Sequence, residues 1–277
     1  MTALALFCAS SASAQLIAGT SAADFAAARA IMVTRIRETL RSDAPEADDA
    51  YFEIALSAVA IVDRERFVPA ALRQQAYDPT SLPIGYDQTI SDSAVVAIMT
   101  GAAHLPPNAN VLDVGTGSGY QAAVLSPLSR QVSSIEIIKP LADQATARLR
   151  ELGYRNVTVR SGDGFAGWPE RAPFDAIIVA AGAATMPQPL IDQLKPRGRL
   201  IMPIGPTWAQ EQLLVVEKQP NGALKRCSLG WTMFVPLTGR GERAPNAAGT
   251  FDTKLPSCYA RSLIAPLFRT VSPPPKH

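Results

Sequence analysis

Between residues 24 and 40, Phe25, Ala28, Met32, Val33, Ile36 and Leu40 recur three or four positions apart, with Arg29, Arg35, Arg37 and Glu38 between them. That spacing predicts an amphipathic helix. A second helical stretch follows Pro45, over about 47–62. Residues 67–85 hold Pro69, Pro79, Pro83 and Gly85 and predict loop with short turns. Over 91–103 the apolar positions Val95, Val96 and Met99 return to helical spacing. From Asn110 onward, short apolar runs alternate with helical ones. Strands are predicted at 111–114, 132–137, 157–160, 174–180 and 199–204, and helices at 118–126, 141–152 and 187–194. Two further strands, 213–217 and 228–235, pair antiparallel at the sheet edge. Strand–helix alternation of this length implies βαβ units with right-handed crossovers. The expected fold is therefore α/β: a mostly parallel, twisted, Rossmann-like sheet with helices on both faces and antiparallel edge strands. The nearly unbroken apolar run 176–180 suits a central strand buried on both faces. Beyond Thr238 glycine and proline become frequent, and residues 240–277 are expected to be a partly disordered tail.

Hydrophobic residues make up 47% of the 277 and charged residues 18%, a globular composition with ample material for a core. Lys and Arg number 26 against 24 Asp and Glu, leaving +2. So even a balance predicts neither a nucleic-acid nor a membrane partner. The two histidines, His104 and His277, lie far apart, which excludes a His-based metal site or a Ser-His-Asp triad; no metal is expected. No run of about 18 apolar residues is present. Cys8, Cys227 and Cys258 form no CxxC pair, so they read as incidental thiols. Residues 1–14 (MTALALFCASSASA) end in Ala12-Ser13-Ala14 before Gln15, which resembles a signal-peptidase site, although no Lys or Arg opens the segment. The other reading is a frayed, alanine-rich extension. Cleavage would leave Cys227 and Cys258 as a candidate pair in an oxidising compartment.

The chemistry concentrates in 111–120, VLDVGTGSGY. A strand runs into a glycine turn that opens a helix, and glycine lets a ligand approach the backbone closely. The spacing is G-x-G-x-G, not the G-x-G-x-x-G of a dinucleotide pyrophosphate site. Glu136 ends the next strand, where a carboxylate can accept hydrogen bonds from both ribose hydroxyls. Asp163, followed by Gly164, ends the third, within reach of an adenine amine. Each acid alone would pass for a helix cap or a solvated loop residue. In order on three strand ends, they predict a nucleotide-type cofactor in the crevice at the carboxyl ends of the strands.

These residues belong to a wider set. The stretches 64–69 (RERFVP), 82–85 (LPIG), 88–91 (QTIS), 115–123, 162–164 (GDG), 167–170 (GWPE), 172–179 (APFDAIIV) and 234–238 (FVPLT) occur in an order that resembles the protein-L-isoaspartate O-methyltransferase family. The resemblance covers nearly two thirds of the chain, 62–238. It implies a Rossmann-like methyltransferase that uses S-adenosylmethionine. Gly115, Gly117 and Gly119 would pass close to its methionine part, Glu136 would hold the ribose, and Asp163 and Gly164 would meet the adenine. Gln88, Thr89 and Ile90 would face cofactor and substrate, Ser91 would be the active-site hydroxyl, and Thr238 would lie on the cofactor side. The implied partners are isoaspartyl-containing proteins and peptides, met by a monomer in the cytoplasm, where the methyl donor is made; a cleaved 1–14 would instead mean export.

A free carboxylate has a reference pKa near 4 and needs no general base at pH 7. The absence of a catalytic histidine or cysteine is therefore consistent with methyl transfer to it. Two departures stand beside the implied substrate pocket: Asp87 where family members usually have glycine, and Asp92-Ser93-Ala94 after Ser91 where they usually have a proline. They leave two other functions in view, methylation of another carboxylate acceptor, or a catalytically weak S-adenosylmethionine-binding module that recognises peptides. The chain divides on this reading into 1–14, a helical extension 15–50, a methyltransferase domain 51–239, and the tail 240–277.

Overall fold

The computed structural model describes residues 20–47, 49–205, 211–240 and 255–259. The signal-like segment, Cys8 and most of the tail lie outside them. The chain opens with α1 (Ala22–Asp43), started by a reciprocal cap in which Ser21 Oγ accepts from Asp24 N and Asp24 accepts from Ser21 N. Helix α2 (Ala50–Ile61) starts at Asp49, whose carboxylate accepts from Phe52 N at 2.9 Å. Then come the strands β1 (Leu82–Gly85) and β2 (Gln88–Ile90), and α3 (Ser93–Ala102). The α/β run follows as β3 (Ala109–Val114), α4 (Tyr120–Leu125), β4 (Ser129–Glu136), α5 (Lys139–Glu151), β5 (Val157–Ser161) and β6 (Phe174–Val179). It closes with α6 (Gln188–Asp192), β7 (Leu194–Ile204), β8 (Glu211–Lys218) and β9 (Leu224–Thr232).

The seven-stranded sheet has the order β5-β4-β3-β6-β7-β8-β9, parallel up to β7 and antiparallel at β7–β8 and β8–β9. Strand period decides which side chains face which layer. Val111, Val132, Ala176, Ile178 and Ile201 join the core shared with α1 to α4, whereas Leu112, Val114, Ile177, Val179 and Leu200 join the core on the opposite face with Leu190 and Ile191 of α6. Met32, Val33, Ile36 and Leu40 of α1 are buried in the first of these, so the N-terminal helix is packed onto the domain. No helix among the described residues is long and apolar enough to cross a membrane.

The structure corrects the sequence reading at four places. Residues 82–85, the end of the stretch expected as loop, pair with 88–90, to which no element was assigned, in an antiparallel hairpin: its strands are four and three residues long, too short to show alternation, and Tyr86 and Asp87 both take positive φ at its tip. The first helix of the α/β run begins at Tyr120 rather than 118, because Gly119 in the left-handed conformation is its N-cap. Strand β7 starts five residues early, at Leu194, and carries Pro196 and Gly198 through an irregular register. The edge strand β9 lies at 224–232, so 233–235 leave the sheet.

The cysteine reading is corrected too. Cys227 and Cys258 form a disulfide. Cys258 N donates to Ser228 O and Ser228 N to Pro256 O, bringing the two Cα atoms to 4.9 Å. The incidental-thiol reading fails and the candidate pair is the one formed; a spacing of 31 residues could not decide between them, since pairing depends on where the tail returns.

Candidate active site

Strand β3 sits between β4 and β6, so the crossovers leave it in opposite directions and a crevice opens at its carboxyl end. An open cleft occupies this place. Its floor is the glycine turn. Gly115 N and Thr116 N both donate to Ile135 O, at 2.9 and 3.1 Å, fastening the turn to the end of β4. Beneath it, Thr116 Oγ1 and Ser134 Oγ lie 2.5 Å apart, and Ser134 donates to Asp113 Oδ2 at 2.7 Å.

Asp113 is fully buried, and its Oδ1 has no hydrogen-bond partner among the described residues. Burial pushes its carboxyl up to about 7, with the Glu136 charge adding to the rise and the Ser134 hydroxyl opposing it. A carboxyl near 3.9 in the unfolded chain and near 7 when folded contributes stability that is complete below pH 4 and lost as pH rises through 7. Asp113→Asn should remove this slope, on the order of a few kcal/mol between pH 4 and 8. Denaturant unfolding across that range checks it; an unchanged slope would mean Asp113 is ionised in the folded state.

Glu136 turns both oxygens to the backbone: Oε2 accepts from Gly117 N at 2.8 Å and Oε1 from Ile138 N at 2.9 Å. It is buried at the cleft wall, so it both shapes the glycine turn and presents charge to the cleft. Glu136→Ala should therefore cost about 1–3 kcal/mol of cofactor affinity. Calorimetric titration checks it.

The second wall is the hairpin and the turn after it, Gln88, Thr89, Ile90 and Ser91, with Val96 and Met99 of α3 behind. The third is formed by 235–238. Gly182 N donates to Val235 O at 2.8 Å and Leu237 N to Gly182 O at 2.7 Å, which lays this segment beside the end of β6 and brings Thr238 to the rim.

Most predicted site residues thus meet in one space: Gln88, Thr89, Ile90, Ser91, Gly115, Gly117, Glu136, Gly164 and Thr238 all line it. Two do not. Gly119 faces α5, where an added Cβ would stand 3.2 Å from Leu149 Cδ1, so its glycine serves helix packing. Asp163 lies just outside the wall; it accepts from Phe165 N at 2.9 Å and from Arg240 N at 2.8 Å, capping its own turn and holding the chain after Thr238. Its neighbour Gly164 is the wall, pressed so closely on Val114 that a Cβ would lie 2.3 Å from Val114 Cγ1. Asp87 is exposed at the hairpin tip with φ +56, a conformation aspartate tolerates, and does not line the cleft. In place of the expected proline, Asp92 caps α3 through Ala94 N at 2.7 Å. Tyr120, Gln121, Ile135, Ile137, Ala180 and Ala181 also line the cleft; as apolar or isolated polar residues they carried no separate signal.

An open α/β sheet whose glycine turn and neighbouring strand-end carboxylate share a crevice at the switch point defines the Rossmann-like class of cofactor-binding proteins. The comparisons narrow it. The family model for protein-L-isoaspartate(D-aspartate) O-methyltransferase (PCMT) matches residues 48–242. "Protein-L-isoaspartate O-methyltransferase 2" of Syntrophobacter fumaroxidans is 48% identical over 216 residues, 78% of this chain and 87% of that protein. The Opitutus terrae protein-L-isoaspartate O-methyltransferase is 48% identical over 223 residues, 80% and 94% of the two chains. Among solved structures, a protein-L-isoaspartate O-methyltransferase aligns over 77% of this chain and 67% of its own with TM-score 0.66 and 25% identity. A Plasmodium falciparum chain solved with S-adenosyl-L-homocysteine shares the fold at TM-score 0.61 and 24% identity, over 74% of this chain and 97% of its own. This chain belongs to the protein-L-isoaspartate O-methyltransferase family.

Proposed function

We propose that this protein transfers a methyl group from S-adenosylmethionine to the free carboxylate of L-isoaspartyl residues in damaged proteins and peptides, starting repair through a succinimide. The observation that carries this is the meeting of two walls in one cleft: the glycine turn with Glu136 on one side, the hairpin end with Ser91 on the other. The cleft residues fit the methyl donor. Gly115 and Gly117 leave backbone open to its methionine part, Glu136 offers a charged acceptor to the ribose, and Gly164 with the adjoining Asp163 stands where the adenine would end. Thr238 closes the same side, and Gln88, Thr89 and Ile90 lie between donor and acceptor.

When bound, S-adenosylmethionine supplies an electrophilic methyl group on a positively charged sulfur. The isoaspartyl carboxylate, ionised at pH 7, attacks that carbon; the C–O bond forms as the C–S bond breaks and sulfur keeps the electron pair. Opposite charges cancel along this path, so the chain's task is alignment in a drained cleft. Ser91 orients the carboxylate without adding charge. The ester then loses methanol to attack by the following backbone nitrogen, which gives the succinimide. Labelled methyl transfer to an isoaspartyl peptide beside its aspartyl twin tests the reading: transfer to the first alone supports it, transfer to neither or both overturns it. Transfer to small carboxylic acids instead would identify another acceptor.

The protein is read as a monomer working in the cytoplasm, supported by the supply of methyl donor there. The Cys227–Cys258 disulfide pulls toward an oxidising compartment. Mass spectrometry of the native N-terminus separates the two: a chain beginning at Gln15 would place the enzyme outside the cytoplasm.

A further inference from the structure

Glu211, the first residue of β8, carries a carboxylate where the strand period asks for an apolar side chain. Two and four places on, Leu213 and Val215 are buried in the core shared with α1 to α4, and Glu211 belongs to the same side of the strand. It is 2% exposed. No Lys or Arg pairs with it among the described residues; the one group that favours its charge is the Phe234 N–H, which donates to Oε2 at 2.8 Å. Burial pushes the carboxyl up to about 7 against that bond. A carboxylate buried without a cation is costly, and a glutamine or leucine of similar size would avoid the cost.

What the carboxylate holds is a wall of the cleft. In the register of the sheet Glu211 is opposite Thr232, the last residue of β9. Beyond Thr232 the chain leaves the ladder, and Phe234 N finds its acceptor in the Glu211 side chain instead of a strand. The next residues are fastened to Gly182, whose N donates to Val235 O and whose carbonyl accepts from Leu237 N. Gly182 is glycine for room rather than for conformation: its φ is not positive, and a Cβ there would run into Glu211 Oε1. Carboxylate and glycine are thus fitted to one another. A small cavity lies behind them, lined by Glu211, Gly182 and Phe234, and Pro236 borders both this cavity and the cleft. The wall is therefore a single residue thick at Pro236, and where its backbone lies depends on what grips it from behind.

We propose that Glu211 is a positioning residue for the methyl donor: by holding the Phe234 N–H it sets the depth of the 235–238 wall, against which the donor packs. Glu211 does not line the cleft, so it acts through the backbone it holds. The inference rests on the reading of this cleft as the S-adenosylmethionine site.

Two substitutions separate the acceptor from the bulk and from the charge. Glu211→Leu keeps the bulk and removes the acceptor; Glu211→Gln removes the charge and keeps an acceptor. At pH 8, Glu211→Leu should weaken S-adenosylhomocysteine binding about tenfold, with kcat at saturating donor within about threefold. Glu211→Gln should bind within about threefold of wild type. Neither should lower Tm, because both relieve a buried charge. Wild-type affinity in Glu211→Leu, equal weakening in both variants, or weakening that comes with a lowered Tm overturns the proposal. If Glu211→Leu does not fold, Gly182→Ala carries the same test: it drives the carboxylate off Phe234 and should weaken binding about tenfold, yet add nothing in a Glu211→Ala background. No loss, or a further loss in that background, is the contrary result. Gly117→Val, titrated alongside, separates the two readings. If it abolishes binding while Glu211→Leu binds fully, only the anchor of the wall is wrong; if both bind as wild type, the donor is not in this cleft and the positioning role goes with it.

Discussion

Gly117→Val should abolish measurable binding of S-adenosylhomocysteine, a loss of at least about a hundredfold, or roughly 3 kcal/mol. Two effects act together. Gly117 sits at φ +51, a region closed to a β-branched residue, so valine must rotate the turn or hold it under strain of about 1–3 kcal/mol. Its Cβ would also stand 3.3 Å from Ile84 Cδ1, within the space the hairpin leaves for the ligand. Rotating the turn breaks the Gly117 N–H bond to Glu136 as well, so one substitution disturbs both of the contacts proposed for the cofactor. Gly117→Ala, which adds strain but little bulk, should fall between. Calorimetric titration measures all three proteins, with circular dichroism to show that the sheet survives. Unchanged affinity in Gly117→Val would remove the cofactor from this cleft.

Ser91→Ala should cut kcat by about ten- to a hundredfold and leave cofactor affinity within about threefold. A hydroxyl that donates to an ionised carboxylate contributes about 1.5–3 kcal/mol, which corresponds to roughly that loss in rate. Ser91 lies on the turn between β2 and α3, across the cleft from the glycine turn, so its loss should spare the donor side. Steady-state kinetics with isoaspartyl peptide at saturating donor, beside titration, gives both numbers. Full turnover would mean that some other group aligns the carboxylate.

The central parallel strands were readable because burial on both faces makes them short apolar runs, as in 176–179, and because the turns between strands hold glycine or proline. The glycine turn and Glu136 were readable because their positions on consecutive strand ends follow from the βαβ repeat alone. What escaped reading depended on contacts made at long range. The hairpin 82–90 has too few residues to show a period, and its shape comes from two positive-φ residues at the tip. Gly119 stands in the same G-x-G-x-G as Gly117, yet faces Leu149 of α5, thirty residues on. Asp163 has the chemistry expected of it but turns to the backbone of Arg240.

The disulfide gives the cleft an unusual kind of wall. Cys227 and Cys258 are 31 residues apart, and the segment between them contains 235–238. One side of the cleft is therefore part of a covalent ring, anchored in β9 at one end and tied back to it at the other. Closing a ring of this size restricts the unfolded chain by about 3–4 kcal/mol. A thiol reductant opens the ring and leaves 235–238 held by the Gly182 hydrogen bonds, while the parallel strands keep every contact they had. The first casualty should be donor affinity, with melting of the sheet following only at higher temperature. Dithiothreitol, a routine buffer additive, thus becomes a variable of the assay: activity measured with and without it reports whether the ring is closed.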